Sequence, residues 1–196
     1  MTVKILESDD LETASRTFAS AYFNYPFPSL SIAEPRRMEC LEILFRSEME
    51  YLIKHGTVEA NSADCGGIAV WSTVGAAGSG ASAISLIRRL FGKMKISEMI
   101  HLARNSYAVG KGRRSLNLPD DTLYLYAIGV LPEMQGKGIA SKLILDKLAE
   151  CSNQTVYLET NTEHNCRFYQ KFGFEPVLKT FYKKNNLTTW YLIKHP

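Results

Sequence analysis

Residues 123–150 read LYLYAIGVLPEMQGKGIASKLILDKLAE, and no other stretch constrains the fold as tightly. The apolar run Leu123 to Val130 has the length and the β-branched and aromatic content of a buried strand. Pro132, which has no N–H to give, ends its ladder. Ile139, Leu143, Ile144 and Leu148 then recur at helical steps, with Lys142, Asp146 and Lys147 off that face. Gln135-Gly136-Lys137-Gly138 therefore sits where a strand hands over to a helix. The first amides of a helix lack intrahelical acceptors and carry partial positive charge, so glycines there leave room for an anion, above all a phosphate.

Spacing discriminates among phosphate cradles. A Walker loop needs a glycine where this chain has Leu131, and Ser or Thr where it has Gly138. A dinucleotide fingerprint wants a third glycine at Ser141 and an acidic residue about twenty positions on, for which Glu159 would have to serve. A third match is close. Val130-x-Pro132-x-x-Gln135-Gly136-x-Gly138-x-Ala140 resembles the acyl-CoA signature of the GNAT superfamily of N-acyltransferases. That resemblance implies that Gln135, Gly136, Lys137, Gly138, Ile139, Ala140 and Ser141 hold the CoA pyrophosphate, and that the strand end Ile128, Gly129, Val130 pairs with pantetheine.

At 196 residues, 45% hydrophobic and 22% charged, the chain suits one globular domain with a full core. A formal charge of +3 does not make a polyanion-binding surface, so no nucleic-acid partner is expected. Cys40, Cys65, Cys151 and Cys166 form no CxxC pair, which argues against zinc and a disulfide framework and for reduced thiols. The opening MTVKILESDD lacks the apolar core of a signal peptide, and no run of about eighteen apolar residues occurs. A soluble, cytoplasmic protein with no metal and no membrane contact is the expectation.

Along the chain, Val3 to Leu6 is a candidate strand, and Leu11, Ala14, Phe18 and Tyr22 mark a first helix. Asn24 to Ser29, with two prolines in three residues, breaks it as an aromatic loop. Pro35 opens a second helix reaching His55-Gly56. Thr57 to Ala60 and Gly66 to Thr73 read as a hairpin turned by Asn61 to Cys65. After the flexible Gly75 to Gly80, two short helices with Ile84, Ile87 and Phe91 and with Ile96, Met99, Ala103 and Tyr107 form an insertion over 79–110, placed to cover the acceptor side. Lys111, Arg113 and Arg114 then read as a basic loop, either solvated or facing a CoA 3′-phosphate.

Thr155 to Glu159 is β-rich, and a helix between Thr162 and Gly173 puts Asn165 and Tyr169 on one face and Phe168 and Phe172 on another. On that pattern the Phe pair packs inward and the polar pair looks into the cleft. Asn165-x-x-x-Tyr169-x-x-x-Gly173-Phe174 resembles the last GNAT motif, and with Leu158-Glu159-Thr160 the stretch is similar to the branch containing puromycin N-acetyltransferases. By that resemblance Asn165 contacts CoA and the Tyr169 hydroxyl protonates the leaving thiolate. Phe174 to Phe181 and Leu187 to Lys194 close the chain as two strands.

The resemblance implies an α/β (α+β) fold in a single domain over 1–196. Its central sheet, of about seven strands, is mixed and mostly antiparallel, its fourth and fifth strands are parallel and splayed, and helices cover both faces. It implies transfer of acetyl from acetyl-CoA to a small-molecule primary amine by direct attack, in a monomer or homodimer. The amine must shed a proton first; Glu159 is the leading candidate base, and Tyr126 and Glu133 are weaker ones. No histidine or carboxylate is placed to activate Cys166 as a nucleophile. In this family the first-helix region walls the acceptor site, so Tyr22, Tyr25 and Phe27, with Trp71 on the third strand, are acceptor candidates; each ring serves equally as core cover. Rival readings are an acyl-CoA sensor without turnover and an acetyltransferase acting on a protein amine.

Overall fold

A computed structural model describes residues 3–62, 64–77 and 83–196. In order they form β1 (Lys4–Ile5), α1 (Leu11–Tyr22), α2 (Pro26–Ser29), α3 (Glu34–His55), β2 (Thr57–Ala60), β3 (Gly67–Thr73), α4 (Val74–Ala77), α5 (Ala83–Leu90) and α6 (Ile96–Ser115). There follow β4 (Leu123–Val130), α7 (Ile139–Glu150), β5 (Val156–Thr160), α8 (Glu163–Gln170), β6 (Glu175–Tyr182) and β7 (Leu187–Lys194). Part of the expected insertion, 79–82, and the expected flexible residues 78–80 fall outside the described residues, as does Ala63 of the hairpin turn.

The strands form one seven-stranded sheet in the order β1-β2-β3-β4-β5-β7-β6. Its one parallel pair is β4 with β5; the other neighbours run antiparallel. One face buries Leu125, Leu143, Ile144, Leu158, Tyr169 and Leu192 beneath α7 and α8. On the other, Phe18 of α1 and Met49 and Leu52 of α3 close over Val58, Ile68 and Val70. Gly129 lets α1 cross β4 closely, because a Cβ there would press on Phe18 and Ala21.

The segment expected as an aromatic loop contains one helical turn, α2, because Pro26 pre-sets the backbone angle of a first helical residue. Arg37 ties it down, donating to the carbonyls of Ile32 (3.0 Å) and Phe23 (3.1 Å). The larger departure is α6, which runs through the expected basic loop to Ser115. Glycine ordinarily weakens a helix. Gly112, however, faces the Tyr191 ring with no space for a Cβ, so its lack of a side chain brings α6 against the sheet. The Tyr191 hydroxyl bonds the Val109 carbonyl at 3.1 Å, and buried Asn105 joins Ser31 to Asn185 of the β6–β7 turn.

Glu98 fastens the start of α6 to that of α3. Its carboxylate accepts from Arg36 (2.7 Å) and from the backbone amides of Ala33 (2.9 Å) and Lys95 (2.8 Å). Burial alone would raise its pKa, but Arg36 and the two amides outweigh it and hold the group at about 2. A depressed carboxyl pKa contributes stability that is present above the unfolded-state value and is lost as pH falls toward the folded one. Wild type should therefore lose up to about 3 kcal/mol more than Glu98→Gln between about pH 5 and pH 2, measured by urea unfolding at each pH.

Candidate functional site

The two parallel strands meet only at their first residues. β4 and β5 pair at Leu123 with Val156, Tyr124 with Tyr157 and Leu125 with Leu158, and no further. Beyond that point β3 keeps β4 as far as Val130, while β7 keeps β5 as far as Thr160. The divergence begins at a bulge: Leu125 faces Trp71 and Ala127 faces Val70, so Tyr126 is an extra residue on β4. A bulge adds local twist and bends its strand, which turns β4 away from β5. The result is a fork with its apex at Tyr126.

The edge of the fork has backbone groups to offer. The Leu131 amide bonds the Gly66 carbonyl at 2.9 Å, and antiparallel neighbours alternate in the direction their groups point. Ile128 and Val130 therefore turn their N–H and C=O groups into the gap. Consistent with that, the Ile128 carbonyl accepts from the Tyr22 hydroxyl (3.2 Å) and the Val130 carbonyl from the Gln135 amide (3.1 Å). At the open end of the gap, Gly136 (φ 76°) and Gly138 (φ 77°) adopt left-handed conformations that glycine alone takes without strain. Among the described residues, nothing lies within 4 Å of where a Cβ would stand on either, and no side chain caps the start of α7. The turn is an open, exposed cradle of amides of the kind that suits a pyrophosphate.

Residues 98–176 match the family model of the acetyltransferase (GNAT) domain. Among solved structures, the chain resembles a histone acetyltransferase HPA2 and related acetyltransferase from Corynebacterium glutamicum, with a TM-score of 0.72 at 19% identity over 100% of this chain and 96% of that one. It also resembles arylalkylamine N-acetyltransferase 2 from Aedes aegypti (0.64, 13%, covering 99% and 98%) and an N-acetyltransferase from Staphylococcus aureus (0.59, 14%, covering 98% and 100%). The chain has the GNAT fold. In this GNAT fold the expected splay of the fourth and fifth strands is present, and α7 and α8 occupy the places that the two sequence motifs assign them.

Tyr169 projects from α8 into the core beside the fork, only 6% exposed, with its ring against Phe168 and Phe174. It is more deeply buried than Phe168 and Phe172, the reverse of the expected division of that helix. Its hydroxyl makes no hydrogen bond among the described residues. Burial first, then Tyr22 and Tyr25 nearby, push its pKa well above the ordinary phenol value. Asn165, four residues earlier, is half-buried and approaches the Tyr25 hydroxyl, which accepts from the Asn161 amide (2.6 Å) and bonds Thr160 Oγ1 (2.9 Å). Tyr22 and Tyr25 meet edge to face at 5.0 Å. Together they close the α1 side of the gap, with half-buried Phe27 one turn on.

Trp71 is not part of that wall. It is 1% exposed in the core under α7, on the opposite face of the sheet from the α1 rings, so it cannot meet an acceptor there. Glu159 departs from expectation in another way. Its carboxylate accepts from Arg113 at 2.7 and 3.1 Å, from the Tyr157 hydroxyl at 2.6 Å and from the Tyr124 hydroxyl at 3.3 Å. Arg113 also lies 4.7 Å over the Tyr124 ring. Burial alone would lower the Arg113 pKa, but Tyr124 and Glu159 reverse that and hold the guanidinium charged.

A carboxylate whose oxygens are already bound by a cation and two hydroxyls turns no free lone pair toward an amine, so Glu159 reads as an anchor for α6 beneath the apex. The sequence reads Arg113 as part of a basic loop and so misses this role; the i, i+3 and i+4 pattern continuing to Arg113 was the available signal. With the pair at 17% and 9% side-chain exposure, Arg113→Ala strands a buried charge. It should cost about 3–5 kcal/mol of unfolding free energy, against less for Glu159→Gln, measured by denaturant titration.

Proposed function

We propose that the protein transfers an acetyl group from acetyl-CoA to the primary amine of a small molecule, by direct attack with both bound together. The observation that carries this is the continuity of the site: an open amide cradle at Gly136 to Ser141 leads into a fork whose edge, at Ile128 and Val130, turns backbone groups inward. The family-model match over 98–176 supports acyl transfer, and the likeness of 158–174 to the puromycin N-acetyltransferase branch favours a small acceptor.

Bound along this path, acetyl-CoA would supply a thioester already activated toward amines. The α7 amides hold its diphosphate end, and the inward-facing N–H groups of β4 polarise the acyl carbonyl. Holding the two reactants side by side removes the entropy cost of their encounter. Tyr169, neutral at working pH, gives its proton to the departing sulfur, and Asn165 orients the chain leading to it. The amine reaches the apex from the face carrying Tyr22, Tyr25 and Phe27.

Acetyl-CoA should raise the melting temperature in proportion to the logarithm of its concentration above Kd. Thiol should be released when a suitable amine is present. A shift without thiol release across a broad amine panel would instead identify an acyl-CoA sensor, and no shift at millimolar acetyl-CoA would refute both readings.

A further inference from the structure

On the proposed path, with the diphosphate end at Gly136 to Ser141 and the arm running back along Val130 to Ile128, the thioester would arrive at the apex, where Tyr126 is the bulged residue. Two carboxylates stand behind that point on the acceptor face. Glu159 is filled by Arg113, Tyr157 and Tyr124. Glu48 of α3 is not: its one hydrogen bond among the described residues is from the Tyr126 hydroxyl, at 2.9 Å to Oε2, and it has no ion pair there.

Several charged groups on the adjoining elements pair with one another among the described residues. On α3, Glu50 takes both Arg46 (3.6 Å) and Arg89 of α5 (2.8 Å), and Arg89 also donates to Ser47. On α6, Arg113 belongs to Glu159. Tyrosines border it as well: Tyr51 one turn along α3, Tyr22 of α1, which packs on Phe45, and Tyr124, edge to face with Tyr126 at 5.7 Å. Phe45 shares the helix face of Glu48 and stacks on Phe18, so the carboxyl lies against the same aromatic wall that borders the gap. A carboxylate held there without a cation costs stability, which a purely structural position gains nothing by keeping.

We propose that Glu48, acting through the Tyr126 hydroxyl, is the acceptor for the proton that the substrate ammonium must lose before attack; this rests on the acetyl-transfer reading above. The ammonium gives its proton to the Tyr126 oxygen as the Tyr126 proton passes to Glu48, leaving a neutral amine. The amine lone pair then forms the C–N bond, the C–S bond breaks, and the sulfur takes the Tyr169 proton. The second proton, acidic on the acylated nitrogen, replaces the one Tyr169 gave, and Glu48 releases its proton to solvent, so that one proton leaves per turnover. Burial raises the Glu48 pKa and the bond from Tyr126 lowers it, with burial the larger effect, which moves this carboxyl toward the range a working base needs.

The test compares wild type, Glu48→Gln, Glu48→Asp and Tyr126→Phe, with thiol release from acetyl-CoA read across pH for phenethylamine and spermidine. Glu48→Gln and Tyr126→Phe should each lower kcat/KM by about 10²-fold and flatten the acidic limb of its pH profile, with Glu48→Asp restoring part of the rate and the limb. Acetyl-CoA should shift the melting temperature of all four alike.

A raised carboxyl pKa makes the native state bind more protons than the unfolded one, so wild type loses stability as pH rises through that window, and Glu48→Gln should not. Its melting temperature at pH 8 should equal or exceed that of wild type, whereas a structural carboxylate would leave the variant less stable. Thiol release that Glu48→Gln matches at every pH overturns the Glu48 assignment alone; a wild type that releases no thiol with any amine overturns the transfer reading itself.

Discussion

Gly138→Glu is expected to abolish the stabilisation by acetyl-CoA while leaving a folded protein. Two effects act together. Gly138 has a φ of 77°, a conformation that costs a residue with a Cβ roughly 1–2 kcal/mol, and among the described residues nothing lies within 4 Å of the added atom to clash with it. The strain is small compared with the stability of a domain. The carboxylate, however, would stand at the positive end of α7, where the proposed diphosphate binds, and would both fill the cradle and repel its ligand. Gly138→Ala separates the two effects: it introduces the strain without the charge, so it should weaken the acetyl-CoA shift and not remove it. The measurement is the melting temperature of each variant with and without millimolar acetyl-CoA. An unchanged shift in Gly138→Glu would remove residues 136–141 from the binding site, and with them the path into the fork.

What the sequence made legible is governed by local rules. The run 123–130, the proline after it and the glycines at 136 and 138 each act on their own few residues, and strand, turn and helix all appear where those residues require. Only the family resemblance implies the fork. It depends on one extra residue, Tyr126, between the partners of Val70 and Trp71, and a pairing register is a property of two strands that no single-strand pattern contains. α6 was misjudged for a related reason. Gly110 and Gly112 lower helix propensity, but the contact that makes Gly112 necessary is with Tyr191, 79 residues away. The roles of the carboxylates followed the same logic. Glu159 and Glu48 are both acidic residues near aromatic ones in sequence, and only the arrival of Arg113 from α6 makes one of them an anchored ion and leaves the other without a cation.

Tyr169→Phe carries the second large effect, on the rate and not on the fold. The hydroxyl has no protein partner among the described residues, so deleting it orphans no buried donor or acceptor, and the ring keeps its place against Phe168 and Phe174. The melting temperature should therefore stay near that of wild type, and acetyl-CoA should bind with similar affinity. The departing sulfur is a different matter. A thiol has a reference pKa of about 8.5 and a phenol about 10, and burial raises the latter further here, so the phenol first stabilises the charge gathering on sulfur as a hydrogen-bond donor, and its proton moves across only in concert with loss of the nitrogen proton. Removing that donor should lower kcat by about 10² to 10⁴-fold. A residue that merely lined the pocket would instead raise KM or Kd at constant kcat. Steady-state rates with a saturating amine, set beside acetyl-CoA binding by titration calorimetry, distinguish the two: equal kcat in wild type and variant would take Tyr169 out of the chemistry and leave it as a buried ring beside the fork.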